Sequence, residues 1–154
     1  MEAWLPGTYS QLLLHIVFST RHREPWISAE VVDRLHSYIG GIIRAQKGVS
    51  YEIGGVEDHV HLYLRWRTDV SVSDLMRIVK SSSSKWVHES FPNLGAFAWQ
   101  EGYSVFSVSK SQEEAVKKYV RSQREHHAKE DFRTELLRLL RAHGIEFDEK
   151  YVFD

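Results

Sequence analysis

An α+β domain, with a mainly antiparallel sheet and helices packed on it, is the fold class this sequence predicts. Three observations predict it. Hydrophobic periodicity gives the order strand, helix, two strands, helix, strand, helix, helix. The second and third strands are separated only by Glu57 and Asp58, too few residues for a parallel crossover, so they form a hairpin. The first strand carries apolar residues at both parities, as a central strand covered on both faces does. Together these point to a ferredoxin-like sandwich. The 154 residues suffice for one hydrophobic core. With no linker, repeat or low-complexity tract in view, residues 1–154 read as a single domain.

The first strand runs from about Tyr9 to Thr20 and ends in the charged, proline-containing Arg21-His22-Arg23-Glu24-Pro25. His15, inside it, reads as a packed histidine. Ser28 is a suitable N-cap for a helix to about Gln46, with Val31, Val32, Leu35, Ile39, Ile42 and Ile43 at helical spacing. Val49 to Val56 is the second strand, broken by Gly54-Gly55, and His59 to Trp66 the third. Ser71 or Ser73 caps a second helix. Its inward stripe (Val72, Leu75, Met76, Val79, Ser83, Trp86, Val87) is opposed by a serine-rich basic face of Arg77, Lys80, Ser81, Ser82, Ser84 and Lys85, suited either to phosphates or to plain solvent. Pro92 to Gly95 is a turn, and Phe97–Gln100 and Tyr103–Val108 are strand segments. Ser111, with Glu114 three residues on, forms a capping box for a third helix reaching His126 or His127. Asp131 caps a fourth, with stripe Phe132, Leu136, Leu139 and Leu140 and stop Gly144. The tail Ile145–Asp154 packs locally, against this chain or another subunit.

Composition excludes some chemistry. There are no cysteines, so no disulfide, zinc ribbon or thiol catalysis, and a reducing compartment fits. Any metal needs His, carboxylate, amide or Tyr ligands. No N-terminal signal pattern and no membrane-length apolar run are seen. The net charge of −1 gives no general pull toward nucleic acid. Between Arg65 and His127, however, ten basic residues oppose seven acidic ones, enough for a confined basic groove or for ordinary solvated surface.

The chemistry-bearing stretch is Asp58-His59-Val60-His61-Leu62-Tyr63-Leu64. Strand side chains alternate, so His59 and His61 share a face, with Cα atoms roughly 6.5–7 Å apart, while Val60, Leu62 and Leu64 face the core. Two such imidazoles can share a metal ion; they also fit a half-buried strand with polar residues on its open face. On the third helix, Tyr119 and Gln123 are four residues apart and share a face, with His126 nearby.

His-hydrophobic-His on a strand and Tyr-x-x-x-Gln on a later helix together resemble the HUH endonuclease superfamily. Within it, the chain is similar to the small single-tyrosine transposases of insertion sequences that move as single-stranded DNA, and to their REP-associated relatives. HIVFSTRHREPWI, GGVEDHVHLYL, SSSSKWV, FAWQEGYSVFSVSKS, YVRSQREHH and GIEFDEKYVFD carry the resemblance, in order, over nearly the whole chain. It implies the HUH endonuclease sandwich, with Tyr119 as nucleophile and His59, His61 and Gln123 as ligands of a divalent cation, Mg²⁺ or Mn²⁺. It implies a cytoplasmic, nucleoid-associated prokaryotic enzyme that acts on single-stranded DNA hairpins at element ends. A homodimer is implied, whose tyrosine helix can complete the partner's site.

These residue types suit that chemistry. Two neutral imidazoles and an amide leave a cation nearly its full charge, because no carboxylate neutralises it, and leave positions open for phosphate. A phosphotyrosine conserves the energy of the cleaved linkage for rejoining. Lys80, Lys85, Lys110, Lys117 and Arg121 are candidates for DNA backbone contacts. Asp58 or Glu57 is placed to orient a ligating imidazole, with His126 near the same site. Trp86, Trp99 and Tyr103 suit base stacking or core packing. The alternative is a domesticated REP-associated type of protein that binds or processes hairpin nucleic acid without mobility.

Overall fold

The computed structural model describes residues 7–152. Residues 1–6 and 153–154, and with them the ends of the leader and tail readings, lie outside the described residues. Strand β1 (Leu12–Ser19) leads through a 3-10 turn to helix α1 (Ala29–Ala45). The hairpin β2 (Val49–Val56) and β3 (His59–Trp66) follows, then α2 (Val72–Ser90), β4 (Ser104–Ser107), α3 (Glu113–Arg121), α4 (Gln123–His127) and α5 (Phe132–Ala142). The four strands are antiparallel in the order β2-β3-β1-β4, so the fold is the expected α+β sandwich with β1 and β3 central.

Alternation along the central strands sends two sets of side chains to opposite faces. Ile16 and Phe18 of β1, with Val60, Leu62, Leu64 and Trp66 of β3, pack against Val31, Leu35, Ile39 and Ile43 of α1 and Leu75, Met76, Val79 and Val87 of α2, all buried. Leu13, His15 and Val17, with His59, His61 and Tyr63, point the other way. α3 and α5 cover them with Val120, Phe132, Leu136, Leu139 and Leu140. The histidine face, expected to be half open, is therefore roofed, and His59 and His61 are both fully buried.

Local departures have local causes. β2 runs unbroken through Gly54 and Gly55, and its irregularity falls instead between Ser50 and Glu52. A Cβ at Gly54 would stand 1.8 Å from the Val120 carbonyl oxygen, so glycine here lets α3 lie directly on the sheet. Ser28 precedes α1 without a side-chain cap bond, whereas Ser71 and Asp131 do cap α2 and α5, accepting from the Asp74 and Thr134 amides. Phe97–Gln100 makes only an isolated bridge between Trp99 and Thr20. The Ser111–Glu114 capping box does not form: Lys110–Gln112 is a 3-10 turn, and Ser111 Oγ pairs with Ser109 Oγ. The third helix is two, divided at Ser122, whose hydroxyl donates to the Lys118 carbonyl. In the tail, Phe147 and Val152 pack on the α5 cluster.

Candidate active site

β3 delivers both imidazoles to one space. His59 Nδ1 donates to Asp58 Oδ1 at 2.7 Å, and His61 Nδ1 lies 2.8 Å from His15 Nε2. A partner at each Nδ1 fixes the ring, and both Nε2 atoms turn toward the same point. Asp58 thus sits where an orienting acid was expected. Glu57 does not: it faces outward to Arg124 at 3.3 Å, because a hairpin turn presents successive side chains to different sides. His15, read as a packing residue, is the second orienting partner. Only the pairing of β1 with β3 places it there.

The roof helices bring the rest. The Gln123 amide nitrogen donates to the Tyr119 carbonyl at 3.1 Å, which turns its Oε1 toward His59 Nε2 at 3.2 Å. The Tyr119 and His61 ring centres are 5.7 Å apart. Tyr119 and Gln123 therefore meet His59 and His61 of the same chain. Arg138 Nη2 donates to the Tyr119 hydroxyl at 3.1 Å and to Glu130 at 3.1 Å. His126 closes this rim through Glu130 at 2.9 Å.

One residue at the centre has no counterpart in the sequence reading. Glu135 of α5 is fully buried. Its Oε1 lies 3.1 Å from His61 Nε2, 3.3 Å from His59 Nε2 and 2.9 Å from His127 Nε2, while Oε2 accepts from the Tyr119 hydroxyl. The expectation that no carboxylate faces the imidazoles is thereby corrected. Glu135 reads from sequence as a polar position between the apolar residues of an amphipathic helix, and only the docking of α5 reveals its direction.

This carboxylate governs the electrostatics. Burial opposes charge on Glu135, but hydrogen bonds from His127, His59 and His61 outweigh it and hold the group ionised, well below the usual carboxylate range. Burial likewise opposes charge on His59, but Asp58 and Glu135 overcome it and lift the imidazole to about 9. For His61, burial prevails over Glu135 and pushes it down to about 4. Tyr119 is raised above the ordinary phenol by burial and by the Glu135 charge, with Arg138 opposing. The donor set fits a divalent cation: the converging nitrogens of His59 and His61 and a Glu135 oxygen lie within 4.8 Å of one another, with the Gln123 oxygen beside them.

The cations proposed for DNA contact are spoken for within the chain. Lys80 donates to the carbonyls of Gln100, Glu101 and Gly102 at 2.8, 3.0 and 2.6 Å, and burial pushes it down to about 8; it shapes a loop. Lys85 pairs with Glu89, Lys110 with Glu113, Lys117 with Glu113 and Glu114, and Arg121 with Glu52. Lys85 and Arg121 make exposed pairs, which are individually weak, whereas Lys110 and Lys117 reach the largely buried Glu113. Trp99 is buried in the core and Trp86 stacks on Tyr38; Tyr103 lines a cavity of about 490 Å³ with Arg77, Ser81 and Ser84.

An antiparallel sandwich carrying His-Val-His on a central strand beneath a helix-borne tyrosine defines the class to which these features point. The chain belongs to the family described as "Transposase IS200 like", which it matches over residues 8–123, a family whose activity is DNA cleavage and strand transfer. It is 27% identical over 125 residues to the ISDra2 transposase TnpA of Deinococcus radiodurans, covering 76% of this chain and 87% of that protein. Among solved structures, a putative transposase from Deinococcus radiodurans superposes with a TM-score of 0.65 at 23% identity, over 77% of this chain and 95% of that one. A REP-associated tyrosine transposase bound to a REP hairpin gives 0.55 at 12% identity, over 78% and 70%. At those identities the two structures establish shared fold. The resemblance expected over nearly the whole chain is matched to Gln123, and α5 lies beyond that segment. Among the described residues no helix is long and apolar enough to cross a membrane.

Proposed function

We propose that this chain is a metal-dependent single-stranded DNA transposase in which Tyr119 cleaves and rejoins strands beside hairpins at element ends, through a 5′-phosphotyrosine. The observation that carries the reading is the convergence, within one chain, of the Tyr119 hydroxyl, the Gln123 oxygen and the His59 and His61 nitrogens. His59, His61 and Gln123 would hold Mg²⁺ or Mn²⁺. When bound, such a cation supplies Lewis-acid polarisation of a non-bridging phosphate oxygen. The Tyr119 oxygen attacks phosphorus as the bond to the 3′ oxygen breaks, and the proton given up by the phenol ends on the departing 3′ oxygen. Glu135 Oε2 accepts from the phenol and is placed to relay its proton once the new bond to phosphorus forms, while Arg138 donates to the phenol oxygen and opposes the rise that burial and the Glu135 charge impose on it. Reversal by another 3′-hydroxyl reseals the strand without an external energy source.

The REP hairpin on the structural relative supports hairpin DNA as partner, and the groove of Arg77, Ser81, Ser84 and Tyr103 along α2 is a surface for its backbone. In a homodimer each chain would use its own tyrosine. The test mixes protein, Mn²⁺ and end-labelled single-stranded hairpin DNA from the flanks of the gene, followed by a denaturing gel. A band carrying both protein and label is expected, lost in Tyr119→Phe while hairpin binding persists. Loss of binding in that variant would instead make Tyr119 a recognition residue.

A further inference from the structure

We propose that Glu135 is itself a ligand of the cation assigned above to His59, His61 and Gln123, so that the cation ties α5 to the sheet. The inference rests on that functional reading and adds a carboxylate to its ligand set.

The separations fit. Neighbouring ligands on an octahedral ion with bonds of about 2.1 Å lie about 3.0 Å apart. Glu135 Oε1 is 3.3 Å from His59 Nε2 and 3.1 Å from His61 Nε2, and Gln123 Oε1 is 3.2 Å from His59 Nε2. An ion seated among these atoms can therefore take Glu135 Oε1 beside both imidazoles and Gln123 Oε1 beside His59, and keep open positions for phosphate. Two imidazoles and a carboxylate form a common set for divalent ions.

The placement also argues against a carboxylate of purely structural use. A fully buried carboxylate is strongly destabilising unless its oxygens are satisfied. Here Oε1 is satisfied by three imidazole nitrogens, two of them the proposed metal ligands, and Oε2 by the hydroxyl of the proposed nucleophile. A single side chain thus spans from the ligand pair to Tyr119. With its Oε1 given to an ion, Glu135 would keep Oε2 as the acceptor for the Tyr119 hydroxyl. It comes from α5, outside the residues that match the family, and its negative charge gives a tighter but less electrophilic site than two imidazoles and an amide would.

The test is Mn²⁺ binding, read from the paramagnetic resonance signal of free Mn²⁺, for the unmodified protein, Glu135→Gln and His61→Ala. It is paired with amide hydrogen exchange across α5 with and without Mn²⁺. Glu135→Gln is expected to weaken Mn²⁺ at least tenfold. In the unmodified protein Mn²⁺ is expected to slow exchange in Phe132–Ala142, and in Glu135→Gln it should not. Mn²⁺ affinity unchanged in Glu135→Gln but lost in His61→Ala overturns this inference and leaves the functional reading standing. Affinity unchanged in His61→Ala overturns the metal-site reading itself. Should Glu135→Gln fail to fold by circular dichroism, exchange in the unmodified protein decides: Mn²⁺ protection of α5 supports the proposal, and its absence overturns it.

Discussion

The two faces of one sheet differ in kind although the same strands build both. On the α1–α2 side, alternate residues of β1 and β3 are Ile16, Phe18, Val60, Leu62 and Leu64, all fully buried among aliphatic and aromatic partners. On the α3–α5 side, the intervening residues include His15, His59, His61 and Tyr63, also buried, but each engaged through nitrogen or oxygen. One face stabilises by apolar area, at roughly 25 cal/mol per Å². The other holds ionisable groups in a dry space, where hydrogen bonds and charges are stronger and unpaired ones costly. A stable face lets the other be organised around chemistry.

The contrast yields predictions of decreasing size. Phe18→Ala, on the apolar face at full burial, should cost ~3–5 kcal/mol by urea denaturation; a loss under 1 kcal/mol would mean that this face is not the main source of stability. The second concerns a weak point in α1, where His36 Nε2 is buried with no hydrogen-bond partner among the described residues. Burial, opposed by Asp33, pushes this imidazole down from 6.5 to about 4. Its folded value lies below its unfolded one, so unfolding takes up a proton between those values. Stability attributable to His36 is whole above about 6.5 and declines as pH falls toward 4, by up to ~3 kcal/mol at 1.36 kcal/mol per unit. His36→Gln should flatten that part of the stability–pH curve, and an identical slope would remove His36 as its cause. The third concerns the join between the roof and the sheet. Gly54→Ala forces the Val120 carbonyl to move, an overpacking of about 1–3 kcal/mol, and should lower phosphotyrosine formation about tenfold while hairpin affinity stays within twofold. Unchanged adduct formation would show that α3 tolerates displacement.

Legibility in the sequence followed the two faces. The apolar face was readable because its periods are long and its residues aliphatic, so α1, α2 and the β2–β3 hairpin fall close to their expected bounds. On the polar face, His59, His61, Tyr119 and Gln123 were singled out by spacing and resemblance, and the chain folds so that they meet. What stayed hidden depends on docking. His15 acquires its partner only through β1–β3 pairing, and Glu135 turns inward only because α5 packs Phe132, Leu136 and Leu140 on the sheet. The Ser111 cap failed for a related reason: Glu113 folds inward to Tyr63 and Lys110 at 2.7 Å each, and the chain enters α3 through a 3-10 turn instead.

The central claim is that one chain supplies the whole of its own site. Mixing Tyr119→Phe with His61→Ala protein, each inactive alone, and assaying the covalent DNA adduct on a denaturing gel tests it directly. No adduct is expected from the mixture, because each chain pairs its own helix with its own imidazoles. Adduct on the His61→Ala chain, at a sizeable fraction of the unmodified level, would mean that tyrosine and histidines come from different subunits and would contradict it.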